Sequence, residues 1–214
     1  MTAFFRMTKL DFFTMKTQAL SYLSLVAIVL MFGFMGSPVP VLCITGAWFM
    51  ALQAFSIFAI QEKNNLERLY GSVSVGLTDI VLGRYVFMFL NYLVSFSAAV
   101  VLHIGFSLYR NTIVDVSDIM LGFSLSFFLF SAITGIQMPL FFKMGYTKAK
   151  MWALFPFLIV MASVVAPSFI TALSDFIQSV LENQGAVITI GIAAGCAVEF
   201  VSYKIAVIAY RKRK

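Results

Sequence analysis

Gly71 to Thr78, GSVSVGLT, has the glycine spacing of the GxxxxGK[ST] loop, which cradles nucleotide phosphates on backbone amides while its lysine answers the charge of the outer phosphates. Leu77 stands where that lysine belongs, and no buried parallel strand precedes the glycines. Nucleotide binding is therefore rejected for this stretch.

Catalysis would need convergent polar groups: paired carboxylates, a histidine cluster on a metal, or a nucleophile beside a base. The long apolar runs contain one histidine, His103, and one carboxylate, Glu199. His103 lies toward the end of its run and reads as an interfacial side chain. Cys43 and Cys196 both fall inside apolar runs, where a cysteine behaves as a small hydrophobe. No catalytic residue and no metal site is expected.

Glu199 is the strongest single candidate, because an ionisable group within an apolar span costs a few kcal/mol to insert and faces protein or a water-filled cavity. Gly191, Gly195, Glu199 and Tyr203 recur every four residues and share one helical stripe. The two glycines form GxxxG, which permits close helix approach, so Glu199 is expected in a helix contact. Two readings stand: a structural carboxylate bonded to neighbouring hydroxyls or reaching toward Lys204, and a proton-coupled group. Gln53, Asn91, Ser95, Ser124, Ser131, Thr134 and Gln137 are further polar residues in apolar runs. They serve either interhelical hydrogen bonding or the lining of a path.

The elements that must position these residues follow from composition. The chain is 61% hydrophobic and 11% charged, with a mean hydropathy of +0.97, against about 25% charged in soluble domains. This predicts an all-α, polytopic membrane protein forming a single transmembrane domain over residues 1–214. Six runs, 19–35, 39–60, 85–108, 119–142, 151–173 and 186–207, approach or exceed the roughly 20 residues that span a bilayer core. Without water to satisfy open backbone groups they should be helices, with Pro139, Pro156 and Pro167 as expected kink sites. The 24 phenylalanines and 12 methionines suit an apolar cavity wall or, for most of them, a lipid-facing surface.

Residues 1–18 carry Arg6, Lys9 and Lys16 on a narrow arc and read as an interfacial amphipathic helix or as a basic flank of the first span. Gly36 and Ser37 would suit a signal-peptide cleavage site, but retention of the first span is expected. Residues 174–185 read as a short outer-surface helix, with Ser174 as N-cap, Phe176, Ile177, Val180 and Leu181 on one face, and Gly185 as stop.

Lys and Arg content of alternate connections sets orientation. Fourteen of the fifteen basic residues, all but Arg110, fall in the amino terminus, residues 61–84, the connection from Lys143 to Lys150 and the tail from Lys204. Both termini are accordingly expected in the cytoplasm. Basic residues gathered at span ends, not in one patch, argue against nucleic acid.

Between the second and third runs lies the one sizeable polar passage, Gln61 to Arg84. Leu66, Leu69 and Tyr70 could fill a cleft on a partner, with Glu67 and Arg68 pairing at its rim. The segment resembles the loop between the second and third spans of bacterial ABC-2 type permeases. There an acidic-basic pair closes one helix and D-I-V-x-G-[KR]-[YL] opens the next: here Glu62 and Lys63, then Asp79, Ile80, Val81, Gly83, Arg84 and Tyr85. The family often has a leucine-proline pair ahead of the third helix, where this chain has Val73 and Ser74.

The resemblance implies the membrane subunit of an ABC exporter in the bacterial cytoplasmic membrane. It also implies a second six-helix permease as homo- or heterodimer partner, and cytoplasmic ABC ATPase subunits docked on residues 61–84. ATP and Mg would then sit on the partner ATPase, with no cofactor on this chain. Permeases of this compact size resemble exporters of antimicrobial or cytolytic peptides. Two other classes compete: an ion-coupled secondary transporter using Glu199, and a membrane scaffold or sensor subunit without cargo.

Overall fold

The computed structural model describes residues 3–66, 76–165 and 183–213. They form α1 (Ala3–Met15), α2 (Ala19–Phe34), α3 (Val39–Lys63), α4 (Leu77–Arg110), α5 (Val116–Met144), α6 (Tyr146–Val165) and α7 (Gln184–Arg213). Lys16–Gln18 adds a 3-10 turn between α1 and α2, and no strand occurs among the described residues.

Among the described residues, α3, α4, α5 and α7 are long and apolar enough to cross a membrane. α1 and α2 meet at 79° and make a fifth candidate only if taken as one broken span. By itself α2 has 16 residues, short of the roughly 20 a span needs. α6 is described over 20 residues, and its expected continuation to Leu173 lies outside the described residues. The described helices thus supply four or five candidates where sequence suggests six.

Several boundaries differ from the sequence reading for local physical reasons. α4 begins at Leu77, eight residues before the expected third span. Gly76 holds an extended N-cap geometry and Asp79 sits in the first turn, where a carboxylate favours the positive end of the helix dipole. The carboxyl-terminal third of the polar passage is therefore the first two turns of α4. Residues 174–182 of the expected outer helix lie outside the described residues. Gly185 does not end a helix but sits in the first turn of α7, beside Asn183, whose Oδ1 accepts from the Ala186 amide at 3.4 Å.

The connections at 35–38, 111–115 and 145 are short and chemically explicit. Pro38 caps α3, and Pro40 stands in its first turn, where a missing amide costs no hydrogen bond. Asp115 caps α5 by accepting from the Ser117 amide at 2.9 Å. α4 ends on left-handed Asn111, and beside it Arg110 donates to the carbonyls of Gly33 (3.1 Å) and Phe34 (2.6 Å). Both carbonyls lie in the last turn of α2, where Gly33 O also accepts from the Gly36 amide at 3.1 Å, so the one basic residue outside the expected cytoplasmic set caps a helix.

α5 holds the interior, packed against α3, α6 and α7. Many phenylalanines that composition left free to face lipid are here packed on one another. Tyr92 of α4 stacks on Phe96 and Phe130, and its hydroxyl shares a hydrogen bond with Ser126 Oγ at 2.9 Å. Phe58 of α3 packs on Phe141 and Phe142 of α5.

Small residues let α5 and α7 approach. A side chain at Gly191 would strike Ser124, and one at Gly195 would come within 2.7 Å of Phe127. Ser124 Oγ donates to the carbonyls of Val187 (3.1 Å) and Ile188 (3.0 Å) across the same contact. Gly195→Leu is therefore expected to cost about 1–3 kcal/mol through overpacking, read as a lowered unfolding midpoint in detergent. Gly105→Leu, with nothing within 4 Å of the added carbon, should leave that midpoint unchanged.

Candidate functional site

The polar passage between α3 and α4 is anchored at both of its edges, each to a different helix. At its start, Glu62 on the last turn of α3 accepts from the amides of Tyr146 (2.7 Å) and Thr147 (3.2 Å) and from the Thr147 hydroxyl. A carboxylate on orphan amides at a helix N-terminus satisfies donors that lack intrahelical partners. Glu62 thus caps α6 from another helix. Gly145, in the turn from α5 to α6, has φ +78, and a Cβ added there would lie 3.1 Å from Glu62 Oε2 and 3.2 Å from Arg213 Nη2; Arg213 Nη1 donates to Phe142 O at 3.4 Å. The ends of α3, α5, α6 and α7 are gathered at this corner.

At its other edge, Arg84 Nε lies 2.9 Å from Asp11 Oδ2 of α1, with both side chains 1% exposed. The Arg84 guanidinium also sits 4.8 Å from the Phe58 ring centroid. One residue earlier, Thr8 Oγ1 donates to the Gly83 carbonyl at 3.1 Å, and Phe12 meets Phe87 edge to face at 6.5 Å. At 100° per residue Met7, Thr8, Asp11 and Met15 fall opposite Arg6, Lys9 and Lys16. The first set is buried and the second exposed.

Sequence grouped Glu62 and Arg84 with residues facing a partner. The structure gives each a partner within the chain: exposed Glu62 holds α6, and buried Arg84 holds α1. Lys63 is exposed, Asp79 half-buried and Leu66 half-buried against the core. Glu67, Arg68, Leu69 and Tyr70 lie outside the described residues, as do Val73 and Ser74. Asp11 and Thr8 were missed by sequence reasoning. The available signal was a lone carboxylate opposite the basic stripe of an apolar helix.

The polar residues within the runs occupy separate positions. Asn91 donates to the Phe87 carbonyl and accepts from the Tyr22 hydroxyl, each at 3.0 Å, tying α2 to α4. Gln137 Nε2 donates to Ala153 O at 3.0 Å, joining α5 to α6 beside Pro139. Gln53 is buried at 3% exposure, and its Oε1 has no hydrogen-bond partner among the described residues. His103 Nε2 and Ser107 Oγ share a hydrogen bond at 3.2 Å, near the Arg110 cap.

Glu199 accepts from the Thr134 hydroxyl of α5 at 2.8 Å, one turn from Gly195 on the stripe that faces α5 and α4. Tyr203 packs on Tyr85 of α4 edge to face at 5.8 Å, and the Tyr85 and Ser202 hydroxyls are 2.5 Å apart. No group of three or more metal-ligating side chains occurs among the described residues.

Neither a curated protein nor a solved structure matches the chain. The family model described as ABC-2 family transporter protein matches residues 6–211, a stretch that takes in both anchors, the polar passage between them and the helices they hold. By that match the chain belongs to the ABC-2 family of transporter proteins and is a membrane component of a transporter.

Proposed function

We propose that the chain is the permease subunit of an ATP-driven ABC exporter in the bacterial cytoplasmic membrane, with six spans and both termini in the cytoplasm. The carrying observation is the polar passage after α3, fixed at one edge to α6 by Glu62 and at the other to α1 by Arg84 and Asp11. A segment held by its two ends transmits a push to the helices that hold it.

In this reading a cytoplasmic ATPase grips residues 61–84 through Leu66, Leu69 and Tyr70, with Lys63, Glu67 and Arg68 at the rim. Asp79 starts the helix that carries the motion away. Closure of the ATPase dimer on ATP and Mg moves the passage, and rigid-body displacement of α3 and α4 follows. A second six-helix permease, identical or different, completes the pathway at the interface between the two copies.

An amphipathic antimicrobial or cytolytic peptide is the proposed cargo, in keeping with the short outer connections and the aromatic-rich spans. The test is ATP hydrolysis by the reconstituted permease with its ATPase. Such a peptide should raise the rate several-fold, while a polar peptide of equal length should not. Peptide efflux that follows a proton gradient without an ATPase, and is lost in Glu199→Gln, would instead support the ion-coupled class.

A further inference from the structure

A groove of about 500 Å³ runs between α4 and α7. Its wall is aromatic, formed by Tyr85, Phe89, Phe127, Phe200 and Tyr203, and the one carboxylate lining it is Glu199. Glu199 is the sixteenth residue of the 30-residue α7, about 8 Å along the axis from Lys204 at 1.5 Å per residue. The groove therefore opens toward the end of the span that carries the basic tail.

Three features make this a chemically defined site. Thr134 fixes the carboxylate by donating to one oxygen at 2.8 Å. Among the described residues no basic side chain forms an ion pair with it, so a cation reaching the groove would meet no competing salt bridge. The aromatic faces of the wall can attract a cation. Lys204 Nζ already rests 5.3 Å from the Phe200 ring centroid, and aromatic faces attract cations most strongly where water is excluded.

We infer that the groove between α4 and α7 binds a single-chain cationic amphiphile from the bilayer, its ammonium group between Glu199 and the aromatic wall and its alkyl chain along α4. A neutral chain would gain only the apolar contacts. This site does not depend on the exporter reading, because it needs neither the ATPase nor the passage between α3 and α4.

The experiment uses the full chain in lipid nanodiscs and a diazirine-bearing alkyltrimethylammonium photoprobe, with adducts mapped by peptide mass spectrometry. Adducts are expected on Leu82 to Phe89 and Cys196 to Tyr203. Excess dodecyltrimethylammonium should remove them, and the uncharged octaethylene glycol dodecyl ether should not. Glu199→Gln is expected to lower labelling about tenfold, the order of a desolvated cation contact. Leu82→Trp, which fills the groove and keeps the carboxylate, should lower it comparably. Equal competition by the neutral amphiphile, or labelling spread evenly over the lipid-facing helices, overturns the proposal. So does labelling unchanged in a folded Glu199→Gln variant. Should that variant not fold, the wild-type competition and Leu82→Trp still decide.

Discussion

Asp11→Ala is expected to destabilise the folded protein by about 3–5 kcal/mol, the usual cost of removing one partner from a buried ion pair. The reason is burial: Asp11 and Arg84 are each 1% exposed and meet at 2.9 Å. Losing the carboxylate removes the Asp11 partner of a guanidinium that is buried against Phe58. The loss should appear as a lowered unfolding midpoint in detergent and as faster proteolysis of the amino-terminal helix. Asp11→Leu combined with Arg84→Met should recover most of that stability, since an apolar pair of similar volume often matches or exceeds a buried ion pair. The double-mutant cycle then gives a coupling energy of the same order as the single loss. Additive single losses would show that α1 is not held to α4 by this pair.

Leu69→Asp with Tyr70→Asp carries the second large effect, on assembly and not on stability. Both residues lie in the polar passage of the sequence, between charged neighbours Glu67 and Arg68 and the glycine at Gly71, and the folded permease is expected to tolerate the change. A buried apolar or aromatic anchor at the centre of an interface contributes about 2 kcal/mol or more. Loss of two such anchors, each replaced by a charge, should weaken ATPase binding by more than about a hundredfold. Permease-dependent stimulation of ATP hydrolysis should fall to the rate of the ATPase alone, while the unfolding midpoint of the permease stays where it was. An unaltered hydrolysis rate in this variant would remove the assigned docking surface.

What sequence made legible was set by hydrophobic runs and by the chemistry of ends. The helices α3, α4, α5 and α7 are long apolar runs bounded by charge or proline, and each appears where such a run was read. The passage after α3 stood out because it alone interrupts those runs with six charged residues. What sequence could not give was the partner of each charge. Glu62 and Arg84 look alike as polar residues at the rim of a loop. One caps a helix that begins 84 residues later, and the other pairs with a carboxylate 73 residues earlier. Those are tertiary contacts, and no local periodicity encodes them. Arg110 is a similar case. It broke the charge asymmetry of the connections, and its reason became visible only beside the carbonyls of Gly33 and Phe34. Glu199 stands on the glycine stripe of its run in the sequence, but the aromatic groove around it joins side chains from α4, α5 and α7.

The central claim is that this permease is gripped by an ATPase through the passage between α3 and α4. Its most direct measurement is affinity co-purification of the tagged chain, in mild detergent, with an ABC ATPase co-expressed from the same genome. Stoichiometric co-elution is expected with the wild-type chain and none with the Leu69→Asp, Tyr70→Asp variant, at equal permease recovery. Failure of the wild type to retain any such ATPase, or equal retention by the variant, would contradict it.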